Sequence, residues 1–322
     1  MMNRREFLLG GLGLAATETL FGAEPATDAQ SLFANRGRYE RLSLAYQHVH
    51  VGLEKPFSIL HISDTHLASA YPHEPEVKQK LMQSRMRTFG GKQEEALAAS
   101  LAWAKQNVDC VLHTGDLIDW QSEANFDLVR KFAGDIALGT MGNHEYSPSM
   151  WLSDPREEPT DAFRALTAEK IAKAYPYDIS FHAEVVNGVN FVMLDDVYGT
   201  VNAKQVERFA AEAKKGLPIV LCMHVPFFTD EIWRAGCKFW EGDRMKRRYT
   251  SAAVPDPTGD YKRQLTDAVT RDFVAYLKSE KLLKAVLTGH LHITVQDRFS
   301  PTAMEYVVGG NFLFHGEEVL FT

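Results

Sequence analysis

A chain of 322 residues, 45% hydrophobic and 24% charged, is long enough to bury an ordinary packed core as one large domain or two small ones. Its formal net charge of −7 argues against nucleic-acid binding driven by overall charge, although a local basic patch can still receive an anionic substrate. The cysteines, Cys110, Cys222 and Cys237, form no Cys-x-x-Cys pair and are too few for a disulfide framework; the first two lie in apolar runs, as buried free thiols do.

Residues 1–23 are expected to be an export signal with an uncertain cleavage point. Arg4-Arg5 is followed by Phe7-Leu8 and then by a short run of Gly, Leu and Ala, the charged-then-apolar form of a secretory signal. The arginine pair resembles the twin-arginine signal, a route for proteins already folded. It implies the twin-arginine export machinery as a transient partner and a periplasmic or extracytoplasmic location. Phe21-Gly22-Ala23 matches a cleavage site poorly, so an uncleaved membrane tether is the alternative. The apolar run falls short of the roughly 20 residues of a comfortable span. Residues 24–38 are small and polar and read as a linker, and the folded domain is expected over 39–322.

Within that domain, residues 57–62 read as a buried strand. Apolar spacing predicts a helix over 93–106, a strand over 108–112, a helix over 123–132 and a strand over 135–140. Asn187-Gly188 between two apolar runs predicts a hairpin of 181–186 and 189–194. A helix over 203–215 leads to a strand over 218–223. Another, over 265–280, leads to a strand over 284–287. Short strands are expected over 293–299, 304–308 and 319–321. Alternation of this kind argues for a layered α/β fold.

Residues 226–261 show little periodicity and include Pro255, Pro257 and Gly259. Long irregular stretches inside a compact domain are often lids, and this one reads as a cap-like insertion over a substrate pocket, with an inert surface loop as the alternative. Its Arg244, Arg247 and Arg248 are expected to bind a phosphorylated substrate, and Trp240 to stack on a base or sugar.

Five polar motifs follow apolar runs, in fixed order: Asp64-Thr65-His66, Gly115-Asp116-Leu117-Ile118-Asp119, Gly142-Asn143-His144-Glu145, Met223-His224 and Gly289-His290-Leu291-His292. Each lies just past a strand, the edge where open α/β sheets bind ligands. Together they offer carboxylate, amide and imidazole ligands for two ions. Two metals about 3.5–4 Å apart are a device for attacking phosphate esters. The ligand mixture suits Zn, Mn, Fe or Ni rather than Ca or Mg.

In this order the motifs resemble those of the calcineurin-like metallophosphoesterases, over residues 64–292. The resemblance implies an α/β/β/α sandwich: two mixed sheets flanked by helices, with a dinuclear metal site at strand C-terminal ends. It implies two divalent transition-metal ions. Asp64, His66 and His292 would hold one, Asn143, His224 and His290 the other, and Asp116 would bridge them. His144 would steady the transition state and protonate the leaving oxygen. Asp119 and Glu145 would orient imidazoles. The implied activity is hydrolysis of phosphomonoesters or phosphodiesters of a small substrate by attack of a metal-bridging hydroxide. A membrane-attached phospholipid-headgroup hydrolase and a non-catalytic metal-stabilised interaction domain are the alternatives. Asp119 stands where the purple acid phosphatases carry a ligand tyrosine, so a coloured ferric site is not expected. Asp195-Asp196 and the remaining histidines are expected to be structural, with His73 near the site.

Overall fold

The computed structural model describes residues 41–147, 161–197, 199–240 and 267–322, and from Arg41 onward these belong to one compact unit. The elements in chain order are β1 (Ser43–Val49), β2 (Phe57–Ile62), α1 (Glu76–Thr88), α2 (Gln93–Asn107), β3 (Cys110–His113), α3 (Glu123–Phe132), β4 (Leu138–Gly139), α4 (Asp161–Ala172), β5 (Phe181–Val186), β6 (Val189–Leu194), α5 (Ala203–Ala213), β7 (Ile219–Cys222), α6 (Asp230–Trp240), α7 (Ala268–Ser279), β8 (Leu283–Thr288), β9 (Val295–Arg298), β10 (Met304–Val307) and β11 (His315–Phe321). The proposed export signal, the linker and residues 241–261 of the proposed cap lie outside the described residues.

The strands form two mixed sheets. One has the order β1-β11-β2-β3-β4, the other β5-β6-β7-β8-β10-β9. Side chains alternate across each strand, so every central strand serves two cores. Phe57 and Ile59 of β2 meet Phe191, Val220 and Leu287 of the second sheet. Leu60 and Ile62, on the other face of β2, pack with Leu97 and Leu101 of α2 and Val129 and Phe132 of α3. Beyond the second sheet, Val192 and Leu221 pack against Phe209 of α5 and Phe273 of α7. The result is the expected helix, sheet, sheet, helix layering. Both faces of these strands are apolar because both are covered.

Local signals account for the best-placed elements. Ser122 caps α3 by accepting from the Asn125 amide, and Asn202 with Gln205 forms a capping box on α5. Asn187 and Gly188 both have positive φ, as a two-residue hairpin turn requires. Other expectations need correction. The strand expected over 135–140 shrinks to Leu138–Gly139, since residues 133–135 form a 3-10 turn. The region from 226 onward is not uniformly irregular. Residues 230–240 form α6, which buries Ile232 and Gly236 and joins Val225, Leu291 and Val307 in a small core of its own.

Candidate metal centre

All five motifs converge. The first sheet supplies Asp64 and His66 after β2, Asp116 after β3 and Asn143 after β4. The second supplies His224 after β7, and His290 and His292 after β8. Several of these loops turn more sharply than ordinary residues allow. Asp64, His66, Asp116, His290 and His292 all have φ between 52° and 68°, a left-handed conformation that costs an ordinary residue about 1–3 kcal/mol. Such strain concentrates at functional sites. The motif glycines permit the close approach. A β-carbon on Gly115 would lie 2.7 Å from His224 Nδ1; on Gly142 it would collide with the Asp116 carboxylate, and on Gly289 with Ser63 Oγ.

Two groups of donors face each other. In the first, His292 Nε2 lies 3.2 Å from Asp64 Oδ1 and 3.0 Å from His66 Nε2. In the second, His224 Nε2 lies 3.3 Å from Asp116 Oδ2, 3.2 Å from Asn143 Oδ1 and 3.2 Å from His290 Nδ1. Asp116 Oδ2 is also 3.8 Å from His66 Nε2, so this carboxylate borders both groups. His224 Nδ1 is spent on the Thr114 carbonyl at 2.7 Å, and His66 Nδ1 on Asp119 at 2.9 Å. Those bonds leave the lone pairs of both Nε2 atoms facing inward. Buried Asp64 Oδ1 has no hydrogen-bond partner among the described residues. Buried carboxylate, amide and imidazole ligand atoms converging in this way are what a pair of divalent cations satisfies, and the residues fit that group.

Burial favours the neutral form of His66 and pushes its pKa down to about 4. Burial also opposes charge on His224, but Asp116, which also bonds to it, and Asp64 raise it to about 10. Asp116 itself, despite burial, is held well below the usual carboxylate range by His224 and His144.

His144 sits beside both groups without joining either. Its amide donates to Asp116 Oδ1 at 2.8 Å, and its Nδ1 lies 2.8 Å from the Asp119 carbonyl and 3.0 Å from Asp119 Oδ1. Nε2 therefore faces the centre, 4.0 Å from Asp116 Oδ2. Burial opposes its charge, yet Asp116 and Asp119 raise its pKa to about 9.

Asp119 orients imidazoles, as expected. Glu145 does not: it accepts from the backbone amides of Asp116, Leu117, Ile118 and Gly142, so it fixes loops rather than rings. Asp196 does the same for the His224 loop, accepting from the amides of His224 and Val225. His73 lies at the surface against Glu123. Arg244, Arg247 and Arg248 lie outside the described residues. Trp240 stands beside the centre, its ring edge-on to His292 with centroids 5.7 Å apart and its Nε1 donating to the Leu291 carbonyl.

Sequence reasoning missed three contributors. Arg85 of α1 bonds Asp119. Phe312 packs against His66 and His292. Asn311 accepts from Thr65 Oγ1, and its amide donates to the Ser63 carbonyl. None belongs to a motif, and only the Gly309-Gly310-Asn311 turn sequence gave any signal.

The family model for calcineurin-like phosphoesterases matches residues 57–294, all five motifs included. This chain belongs to the calcineurin-like phosphoesterase family. As a calcineurin-like phosphoesterase it is a metal-dependent hydrolase acting on phosphoric esters. Among solved structures, a dimetal phosphatase from Danio rerio is similar at 15% identity and a TM-score of 0.44, over 80% of this chain and 88% of that one. PhoD is similar at 14% identity and a TM-score of 0.45, over 81% of this chain and 57% of that one. The NAD nucleotidase NadN of Haemophilus influenzae is similar at 15% identity and a TM-score of 0.35, over 80% of this chain and 45% of that one. The chain thus spans about half the length of the last two. No curated protein sequence matches it.

Proposed function

We propose that the chain is an exported phosphoesterase that hydrolyses phosphomonoesters or phosphodiesters of a small substrate, using two divalent transition-metal ions. The supporting observation is the Asp116 carboxylate bordering both donor groups, 3.3 Å from His224 Nε2 and 3.8 Å from His66 Nε2. Asp64, His66 and His292 would hold one ion and Asn143, His224 and His290 the other, with Asp116 shared. Bound there, the ions would neutralise phosphoryl oxygens and acidify a water.

The protein's own groups do the rest. Asp119 fixes the His144 ring, so that Nε2 faces the reacting centre with its proton. As the ester P–O bond breaks, His144 donates that proton to the leaving oxygen, which departs as an alcohol. Trp240 flanks His292 and would wall the organic part of the substrate, while Arg244, Arg247 and Arg248 would meet its anionic part. The twin-arginine-like start supports export of the folded protein and a periplasmic or extracytoplasmic location. An uncleaved start would tether it to the membrane.

The test strips the purified protein of metal, reloads it with Zn, Mn, Fe or Ni, and assays nitrophenyl phosphate and bis-nitrophenyl phosphate. Asp116→Ala is expected to lose bound metal and nearly all turnover. His144→Ala is expected to keep its metal and lose up to about 10²–10⁴-fold in kcat, most for substrates with poor leaving groups. Loss of metal uptake in His144→Ala would overturn its role as acid, and no turnover with any metal would overturn the substrate assignment. Fractionation and N-terminal sequencing of the expressed protein check export.

A further inference from the structure

Asp119 is fully buried and serves several partners at once. Its Oδ1 lies 2.9 Å from His66 Nδ1 and 3.0 Å from His144 Nδ1. Arg85 grips the same carboxylate from the other side, with Nη2 donating to Oδ1 at 3.0 Å and Nε to Oδ2 at 2.5 Å. A fork with two N–H donors fixes a carboxylate in its plane, which a single ammonium cannot do.

A second contact reaches His66 independently. The Arg85 guanidinium lies 4.4 Å from the Phe89 ring centre, and that ring stacks on His66 at 4.6 Å and 14°. One helix end makes both contacts. Phe89 caps α1, its amide donating to the Arg85 carbonyl, and Gly90 turns the chain away with φ of 79°.

With Arg85 on its other edge, Asp119 Oδ1 stays within reach of both rings, and the Asp119 carbonyl lies 2.8 Å from His144 Nδ1.

We propose that Arg85 is a positioning residue for leaving-group protonation: by clamping Asp119, and through it the rings of His66 and His144, it aims His144 Nε2 at the departing oxygen. The proposal deepens the phosphoesterase reading and rests on it for its kinetic part. Arg85 itself exchanges no proton; the P–O bond breaks, and the proton leaving His144 Nε2 ends on the alcohol.

The experiment compares zinc-loaded wild type, Arg85→Lys, Arg85→Ala and His144→Ala on a series of aryl and alkyl phosphates of rising leaving-group pKa. Arg85→Ala is expected to lose about 10–100-fold in kcat for the poorest leaving groups and little for nitrophenyl phosphate. Its KM and zinc content should stay unchanged. Arg85→Lys should fall between it and wild type. Added guanidinium should restore kcat in Arg85→Ala and do nothing for His144→Ala.

Proton NMR of the same zinc-loaded proteins gives a readout independent of turnover. The hydrogen-bonded Nδ1 protons of His66 and His144 should shift or broaden in Arg85→Ala and return with guanidinium. Equal loss of kcat for all leaving groups, loss of zinc, or unchanged imidazole signals would each overturn the proposal. If wild type turns over no phosphoester, the enzymatic reading fails by itself, and the imidazole signals still decide whether Arg85 positions the rings.

Discussion

Gly142 shows how little room the centre leaves. Any β-carbon there would meet the side chain and amide of Asp116. Gly142→Ala is therefore expected to push Asp116 out of place and weaken metal binding at both positions, measured as zinc content after dialysis against a competing chelator; unchanged content would show that the loop can move aside. The convergence of the candidate ligands was legible in the sequence for a related reason. Asp, Asn and His placed just after apolar runs, with glycine before several of them, mark strand ends where the backbone must approach closely. Arg85 and Phe312 were not legible, because each reaches the site from another element and nothing in its local sequence distinguishes it from a surface or core residue. Glu145 was read as steering a ring, since a motif reveals proximity but not which atom of a neighbour is touched.

Among elements, the loops depend on buried carboxylates that accept backbone amides. Glu145 holds the Asp116 loop and Asp196 the His224 loop. Glu305 of β10 accepts from the Phe227 amide, farther along the same segment. Burial raises the Glu305 pKa well above 4.5. A raised carboxyl is protonated in the fold but ionised in the unfolded chain above about pH 4.5. It therefore lowers stability as pH climbs from there to the folded-state pKa, by about 1.4 kcal/mol per pH unit. Glu305→Gln is expected to flatten that dependence: its melting temperature should gain on wild type as pH rises above about 4.5, and a constant difference would refute the assignment. The elements most clearly foreseen, β2, α3 and the β5–β6 hairpin, carry strong local signals in their apolar pattern, cap or Asn-Gly turn. The helix α1 buries only Leu81, so it has no apolar stripe to read. The helix α6 does have one, but its Pro- and Gly-containing surroundings obscured it.

At the scale of the whole molecule, the candidate ligands are divided between the two sheets: Asp64, His66, Asp116 and Asn143 from one, His224, His290 and His292 from the other. Cations bound between them would tie the sheets together. Binding that favours only the folded state adds about 4.1 kcal/mol when free metal stands a thousandfold above its Kd. Chelation is expected to lower the melting temperature, and titrating metal back should raise it progressively. Asp116→Ala should show no such rise. A wild-type melting curve indifferent to chelator would argue against cations at this position.

The order β1-β11-β2 has a further effect on how the molecule is made. Residues 315–321 lie between β1 and β2 in the sheet, although the ribosome produces them more than two hundred residues later. Until they arrive, β2 has one bare flank, and a bare flank on an apolar strand invites pairing with a neighbouring chain. Nascent chains are therefore expected to need shielding until residue 321 has emerged, and truncation before residue 315 is expected to raise the aggregated fraction on expression.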